Sequence, residues 1–100
     1  MHTRVSTFGG SPDQIDEGLR YLREQILPKA FQDDEGFKGA LALVDRQSGK
    51  TLTITFWESE EAMRATEEEA NRLRSELAQA GGETIAGVER YEVGIFEVES

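Results

Sequence analysis

Two periodicities alternate along this chain of 100 residues, and their order restricts the possible folds more than any other property. Strand-like segments are predicted at residues 2–8, 37–45, 50–58 and 88–98. Apolar residues recur every three or four positions, as in helices, between the first and second strands and between the third and fourth. The order βαββαβ predicts an α+β, ferredoxin-like fold, in which a four-stranded antiparallel sheet carries both helices on one face.

The first predicted helix has recognisable start and stop signals. Ser11 is a candidate N-cap, Pro12 suits the first helical position, and Gln14 is placed to complete a capping box with Ser11. Pro28 has no backbone N–H, so we expect it to kink or end the helix. Gly36 is the expected final stop.

The second predicted helix runs from a cap at Ser59 to a stop at Gly81 and Gly82. Its apolar stripe consists of Met63, Thr66, Ala70, Leu73, Leu77 and Ala80. The charged residues mostly fall outside this stripe: Glu67, Glu68, Glu69, Arg72, Arg74 and Glu76. The acidic residues of this helix are interpreted as a solvated face.

Composition limits the classes of partner. The net charge is −9, and the 11 basic residues are scattered, so we expect neither nucleic acid nor a membrane as a partner. No apolar run approaches the roughly 20 residues that span a bilayer, and we recognise no secretory leader. The chain has no cysteine, which excludes thiolate chemistry. We expect one cytoplasmic domain over residues 1–100.

The predicted strands carry apolar residues on both faces, which is unexpected for a sheet with one face in water. In the second strand, for example, Leu41 and Leu43 point to one face of the sheet, and Ala42 and Val44 point to the other. The helices can cover one face, and the sheet of a second subunit is the most economical cover for the other. We therefore predict a face-to-face homodimer. The alternative is that small residues such as Ala42 tolerate exposure.

Four stretches carry a resemblance to a known family. They are GFKGALAL after the proline-interrupted helix, the hairpin that follows it, FWESEEAM at the start of the second helix, and GVERYEV in the last strand. Together they resemble the dimeric α/β-barrel superfamily, specifically its antibiotic-biosynthesis-monooxygenase-like (ABM-like) domains, over nearly the whole chain. The resemblance implies two ferredoxin-like subunits forming one barrel, with a pocket in each subunit between sheet and helices.

The resemblance implies more than one activity class. The family includes enzymes that oxidise polycyclic phenols or quinols with dioxygen and without metal or flavin, and it includes haem-degrading oxygenases. Trp57 is similar to a tryptophan that contacts the porphyrin in the haem degraders. Those enzymes also need a second-helix His and a first-strand Asn, which this sequence lacks, and His2 lies too near the terminus to serve as axial ligand. We expect no haem degradation, no metal and no cofactor.

The candidate ligand-binding residues combine an aromatic wall, hydroxyl or amide groups and a positive charge. Trp57 shares a strand face with Thr53 and Thr55, and the resemblance places that face toward the pocket. Trp57 could instead be a core residue, and the threonines are good strand formers on any face. The candidates are Trp57, Thr53, Thr55, Asn71, Arg4 and Tyr91.

The other candidates also have structural interpretations. Asn71 could simply be solvated, Arg4 could pair with a surface carboxylate, and His2 could be a disordered terminal residue.

Two functions therefore remain open. The first is a non-catalytic or accessory dimeric protein that binds a small aromatic or apolar ligand, or another protein. The second is a cofactor-independent monooxygenase acting on a quinol or polycyclic phenol. The catalytic residues expected from the family are missing, and this favours the first, non-catalytic function. A cavity beside Trp57 is the feature that the enzymatic interpretation requires.

Overall fold

The computed structural model describes residues 1–99, and its element order confirms the βαββαβ prediction. The strands are β1 (His2–Gly9), β2 (Phe37–Val44), β3 (Thr51–Trp57) and β4 (Thr84–Glu92). The helices are α1 (Ile15–Tyr21), α2 (Leu27–Asp33), α3 (Glu60–Arg64) and α4 (Glu67–Ala80). A 3₁₀ turn, Pro12–Gln14, precedes α1, and a π-helical turn, Leu22–Ile26, joins α1 to α2.

The sheet is antiparallel throughout, in the order β2-β3-β1-β4. Arg4 lies opposite Thr55, and Ser6 lies opposite Thr53, so these side chains share one face of the sheet. We call this the helix face, because the helices cover it. The opposite, outer face carries mostly apolar side chains, among them Val5, Leu41, Leu43, Ile54, Phe56 and Tyr91.

The first helical segment, residues 12–33, continues through Pro28 instead of ending there. Leu27 donates its N–H to the carbonyl of Leu22, five residues earlier, which widens the helix immediately before the proline. This wider turn accommodates the proline and takes the place of the predicted break. The predicted capping box is also absent, because the Ser11 hydroxyl accepts from the Asp13 N–H and Gln14 makes no side-chain cap.

The second helical segment, residues 60–80, was expected to be one helix but is interrupted after Arg64. The Met63 carbonyl there accepts from Arg4 Nη2 at 2.7 Å and from the Thr66 hydroxyl at 2.9 Å. Its backbone donor is the N–H of Thr66 at 3.2 Å, only three residues further on, so the turn tightens where the helix is interrupted. The predicted cap is confirmed, since Ser59 Oγ accepts from the Ala62 N–H at 3.1 Å.

Strand β4 differs most from the sequence prediction. It begins at Thr84 and ends at Glu92, so the strand predicted over residues 88–98 is wrong in its second half. The reason is register: Glu92 pairs with His2, and the Val93 N–H bonds to the Met1 carbonyl, where the partner strand begins. Residues 94–99 are not part of any strand. Ile95 is consequently 83% exposed, while the Phe96 ring packs edge-on against Phe56.

The core lies between the helix face and the two helical segments. Its best-buried side chains include Phe8 from β1, Leu22 from the π-helical turn and Leu77 from α4. The hairpin between β2 and β3 turns at Gly49, whose φ of 84° and close approach to the Gly10 carbonyl exclude a larger residue. Within residues 1–99, no helix combines the length and apolar character needed to cross a membrane.

Candidate functional site

A cavity of about 80 Å³ lies between the helix face of the sheet and the helices. Its sheet side is formed by Arg4, Ser6, Phe8, Phe37, Thr53, Thr55 and Trp57. Its helix side combines apolar residues with a smaller polar set: Leu22, Ile26, Leu27, Ala30, Ala70, Leu73 and Leu77, with Asp34, Thr66, Glu69 and Arg74. A mostly apolar enclosure with a few convergent polar groups is typical of small-ligand sites.

An aromatic wall closes one side of the cavity. Trp57 is 2% exposed and packs edge-on against Phe37, with ring centroids 5.2 Å apart. Phe31 extends the cluster from α2, with its centroid 4.8 Å from that of Phe37. The Trp57 indole N–H donates to Thr55 Oγ1 at 2.9 Å, which fixes the ring orientation. This wall is therefore both rigid and able to offer a flat surface to a ligand.

Arg4 extends the polar part of the site from the central strand. Strand alternation puts it on the helix face, where it is 4% exposed. Its Nη2 lies 2.7 Å from the Met63 carbonyl and 3.0 Å from Glu67 Oε1, and its guanidinium carbon is 5.4 Å from the Trp57 ring centroid. Arg4 Nε is buried without a hydrogen-bond partner within residues 1–99.

Glu67 is shared by two arginines. It accepts from Arg4 and also from Arg90 on β4, whose Nε and Nη2 both contact the carboxylate. The hydrogen bonds from Arg90, followed by those from Arg4, lower the pKa of Glu67 to about 2. The interpretation of all acidic residues of the second helix as a solvated face is therefore wrong for Glu67.

Arg74 is a second buried guanidinium at the cavity, and it is 8% exposed. Its Nε donates to Ser6 Oγ at 3.0 Å, and its Nη1 donates to Asn71 Oδ1 at 2.7 Å. Both acceptors are neutral, and no carboxylate within residues 1–99 forms a salt bridge with it. Burial lowers the pKa of Arg74, and the positive charge of Arg4 lowers it further.

Two carboxylates, Asp34 and Glu69, also line the cavity, and both are less buried than the arginines. Burial raises the pKa of Asp34, and the negative charge of Glu69 raises it further. The site thus combines buried guanidinium groups with partly exposed acidic groups.

The structure brings four of the six sequence candidates to the cavity: Arg4, Thr53, Thr55 and Trp57. Asn71 is exposed on α4 and reaches the site only through Arg74. Tyr91 lies on the outer face, where its hydroxyl donates to Glu89, so its placement in the pocket is wrong.

Sequence reasoning missed Arg74, Ser6 and the part played by Glu67. For Arg74 a signal was present, because it follows Ala70 by four positions and precedes Leu77 by three, which places it on the apolar stripe. The same signal was present for Glu67, which follows Met63 by four positions and precedes Ala70 by three, but it does not reveal the partners of Glu67 on β1 and β4.

The site was also tested for metal and haem. Within the described part of the chain, no group of three His, Cys, Asp or Glu residues is arranged to hold a metal ion. His2 lies in β1 opposite Trp57, with Nδ1 buried and unpartnered, so its assignment as a disordered terminal residue is wrong. The cavity lining includes no imidazole, and about 80 Å³ is far too small for a porphyrin. The residues present do not fit haem.

Solved structures show the same architecture over nearly the whole chain. A monooxygenase of Streptomyces coelicolor in complex with nanaomycin D aligns with a TM-score of 0.73 at 17% identity, over 99% of this chain and 92% of the other. A variant of MhuD, with two manganese protoporphyrin IX groups bound per active site, aligns with a TM-score of 0.70 at 19% sequence identity. The alignment covers 99% of this chain and 100% of MhuD. This chain has the ABM-like fold.

A dimeric ferredoxin-like protein of an uncultured marine organism shares the ABM-like fold, with a TM-score of 0.71 at 9% identity, over 98% of both chains. In sequence, an uncharacterised protein of Mycobacterium tuberculosis is 36% identical over 93 residues, which are 93% of this chain and 41% of the relative. A second is 34% identical over 98 residues, 96% of this chain and 40% of the relative. This chain thus spans about two fifths of these relatives. No protein-family model matches it.

Proposed function

We propose that the protein is a non-catalytic or accessory module that binds a small aromatic ligand in the cavity beside Trp57. The single observation that carries the proposal is the cavity itself, with the indole held by Thr55 and with apolar side chains opposite it. A site that served only packing would be filled, because an unfilled void loses the dispersion contacts of its lining.

Cavity size argues for a small ligand. An engineered apolar cavity of roughly 150 Å³ binds benzene, whereas the cavity here measures about 80 Å³. A single ring therefore requires small movements of the lining side chains. A three-ring ligand requires the helices to separate from the sheet. The π-helical turn Leu22–Ile26 contributes Leu22 and Ile26 to the lining, and such turns are frequent at functional sites.

The binding proposal is tested by filling the cavity. Ala70→Leu adds apolar atoms to a lining position on α4, whereas Ala65→Leu makes the same change at an exposed position. We expect phenol and toluene to quench Trp57 fluorescence in the wild type and in Ala65→Leu, and not in Ala70→Leu. Equal quenching in all three proteins would show that the ligands bind elsewhere.

We also propose that the protein acts as a homodimer joined through the outer faces of two sheets. Leu41 and Leu43 are 46% and 44% exposed on that face, and Ile95 and Phe96 add further exposed apolar surface. An apolar sheet face of this kind is a typical interface. The dimeric ferredoxin-like neighbour supports a second copy as the occupant.

Cofactor-independent oxygenation is the second candidate, and the buried guanidinium groups favour it. Arg4 and Arg74 lie where they would stabilise the anion of a phenol, the species that reacts with dioxygen. The test is oxygen consumption with monocyclic quinols, for wild type and Trp57→Ala. Oxygen consumption by the wild type that is lost in Trp57→Ala would favour the oxygenase. A wild type that consumes no oxygen with these quinols would favour the non-catalytic binding module.

A further inference from the structure

We propose that the inner end of the cavity binds the carboxylate of a single-ring aromatic acid, with Arg74 as its anchor. This inference rests on the proposed ligand-binding function and names the class of ligand. Its starting point is that Arg74 is a nearly fully buried cation whose two protein partners are neutral.

Arg74 has no charged partner within residues 1–99. The carboxylate of Glu67 contacts Arg4 and Arg90 and not Arg74, and no other carboxylate within residues 1–99 forms a salt bridge with Arg74. Buried charged groups are normally paired, because an unpaired charge loses its hydration without compensation. Arg4, Glu67 and Arg90 are the charged groups that act on Arg74 most strongly, and both arginines disfavour its charged form. A bound anion would supply the charged partner that Arg74 lacks.

The donor geometry suits a carboxylate. Ser6 and Asn71 occupy Nε and Nη1 of Arg74, which leaves Nη2 and the second hydrogen of Nη1 for a ligand. Nη1 and Nη2 form the end of the guanidinium fork, through which arginine binds carboxylates, and Nη2 donates to no other group within residues 1–99. Ser6 Oγ accepts from Arg74, so its own hydrogen is available as a third donor.

The rest of the lining suits one aromatic ring. Trp57 and Phe37 provide a flat wall, and Leu73 with Leu77 provides apolar surface from α4. The carboxylates of Asp34 and Glu69 also face the cavity, and they repel an anion. They therefore favour the orientation in which the ligand carboxylate lies at Arg74 and its uncharged edge lies toward them.

The test compares benzoate with benzamide, its uncharged isostere, by quenching of Trp57 fluorescence. For the wild type we expect benzoate to bind about tenfold or more tightly than benzamide, because hydrogen bonds to a buried charge are strong. Arg74→Met should lose this preference while still binding benzamide. Arg72→Met, on the same helix with an exposed side chain, should behave as the wild type.

Each outcome decides a separate point. Equal affinity of the wild type for both probes overturns the carboxylate assignment and leaves the cavity as a binding site. Absence of binding by either probe overturns this inference together with the proposed function. If Arg74→Met does not fold, Ser6→Ala replaces it, and unchanged benzoate affinity in a folded Ser6→Ala protein counts against the site.

Discussion

At the scale of single residues, Thr55 connects fold and site. Its hydroxyl accepts from the Trp57 indole, and its backbone carbonyl accepts from the Thr3 hydroxyl at 2.7 Å. The sequence indicated that Thr53, Thr55 and Trp57 share a face, because strand alternation is a local rule. The hydrogen bond to the indole could not be inferred, because it depends on side-chain rotamers. Thr55 therefore contributes to stability as well as to the cavity surface.

Replacing Thr55 with valine tests this double role. Thr55→Val keeps the shape but removes the acceptor of a buried indole N–H, and we expect a loss of about 1–3 kcal/mol in the free energy of unfolding. Thr53→Val is the matched control on the same strand face and should cost less. Urea denaturation measures both. Equal stability of the two variants would contradict a stabilising Thr55–Trp57 bond.

At the scale of elements, Glu67 connects α4 to two strands. It binds Arg4 of β1 and Arg90 of β4, so the start of α4 is held over the centre and edge of the sheet. The sequence predicted the elements and their order from periodicity, but not this connection. The error in β4 has a related cause, because the end of a strand is set by its partner in the sheet. Contacts between distant elements leave little trace in local patterns.

The depressed pKa of Glu67 gives a pH prediction. The ionised carboxylate stabilises the fold at pH values above about 4.5, and the contribution is lost as the pH falls toward the folded-state pKa of about 2. Glu67→Gln should therefore lower the free energy of unfolding by on the order of 1–2 kcal/mol near neutral pH, a value kept small because the exposed Arg90 is screened by solvent. The loss should become smaller as the pH falls from about 4.5 toward about 2. Urea denaturation of both proteins across this range measures the difference. A pH-independent difference would contradict the assignment.

At the scale of the whole molecule, the sequence pattern predicted apolar residues on both faces of the sheet. The structure confirms this for the outer face, but the helix face is partly polar, since Arg4, Ser6, Thr53 and Thr55 lie on it. Val93 and Ile95 belong to the strand predicted over residues 88–98, but they lie beyond the end of β4 and outside the sheet.

The homodimer is tested with Leu41→Glu, which places a charge on the proposed interface at strand β2. We expect the dimer dissociation constant to rise by about a hundredfold or more, because an unpaired buried charge costs several kcal/mol. Gln79→Glu adds the same charge at an exposed position of α4 and should leave the dimer intact. Sedimentation velocity distinguishes the states. A monomeric wild-type protein at micromolar concentration would refute the dimer.

The most direct test of ligand binding beside Trp57 is the nuclear magnetic resonance signal of its indole N–H, since this is the sole tryptophan of the chain. We predict that benzoate, added stepwise, shifts this signal to saturation and shifts the Arg74 side-chain signals in parallel. An indole signal that stays fixed while ligand is present in large excess would mean that the cavity beside Trp57 is not a binding site.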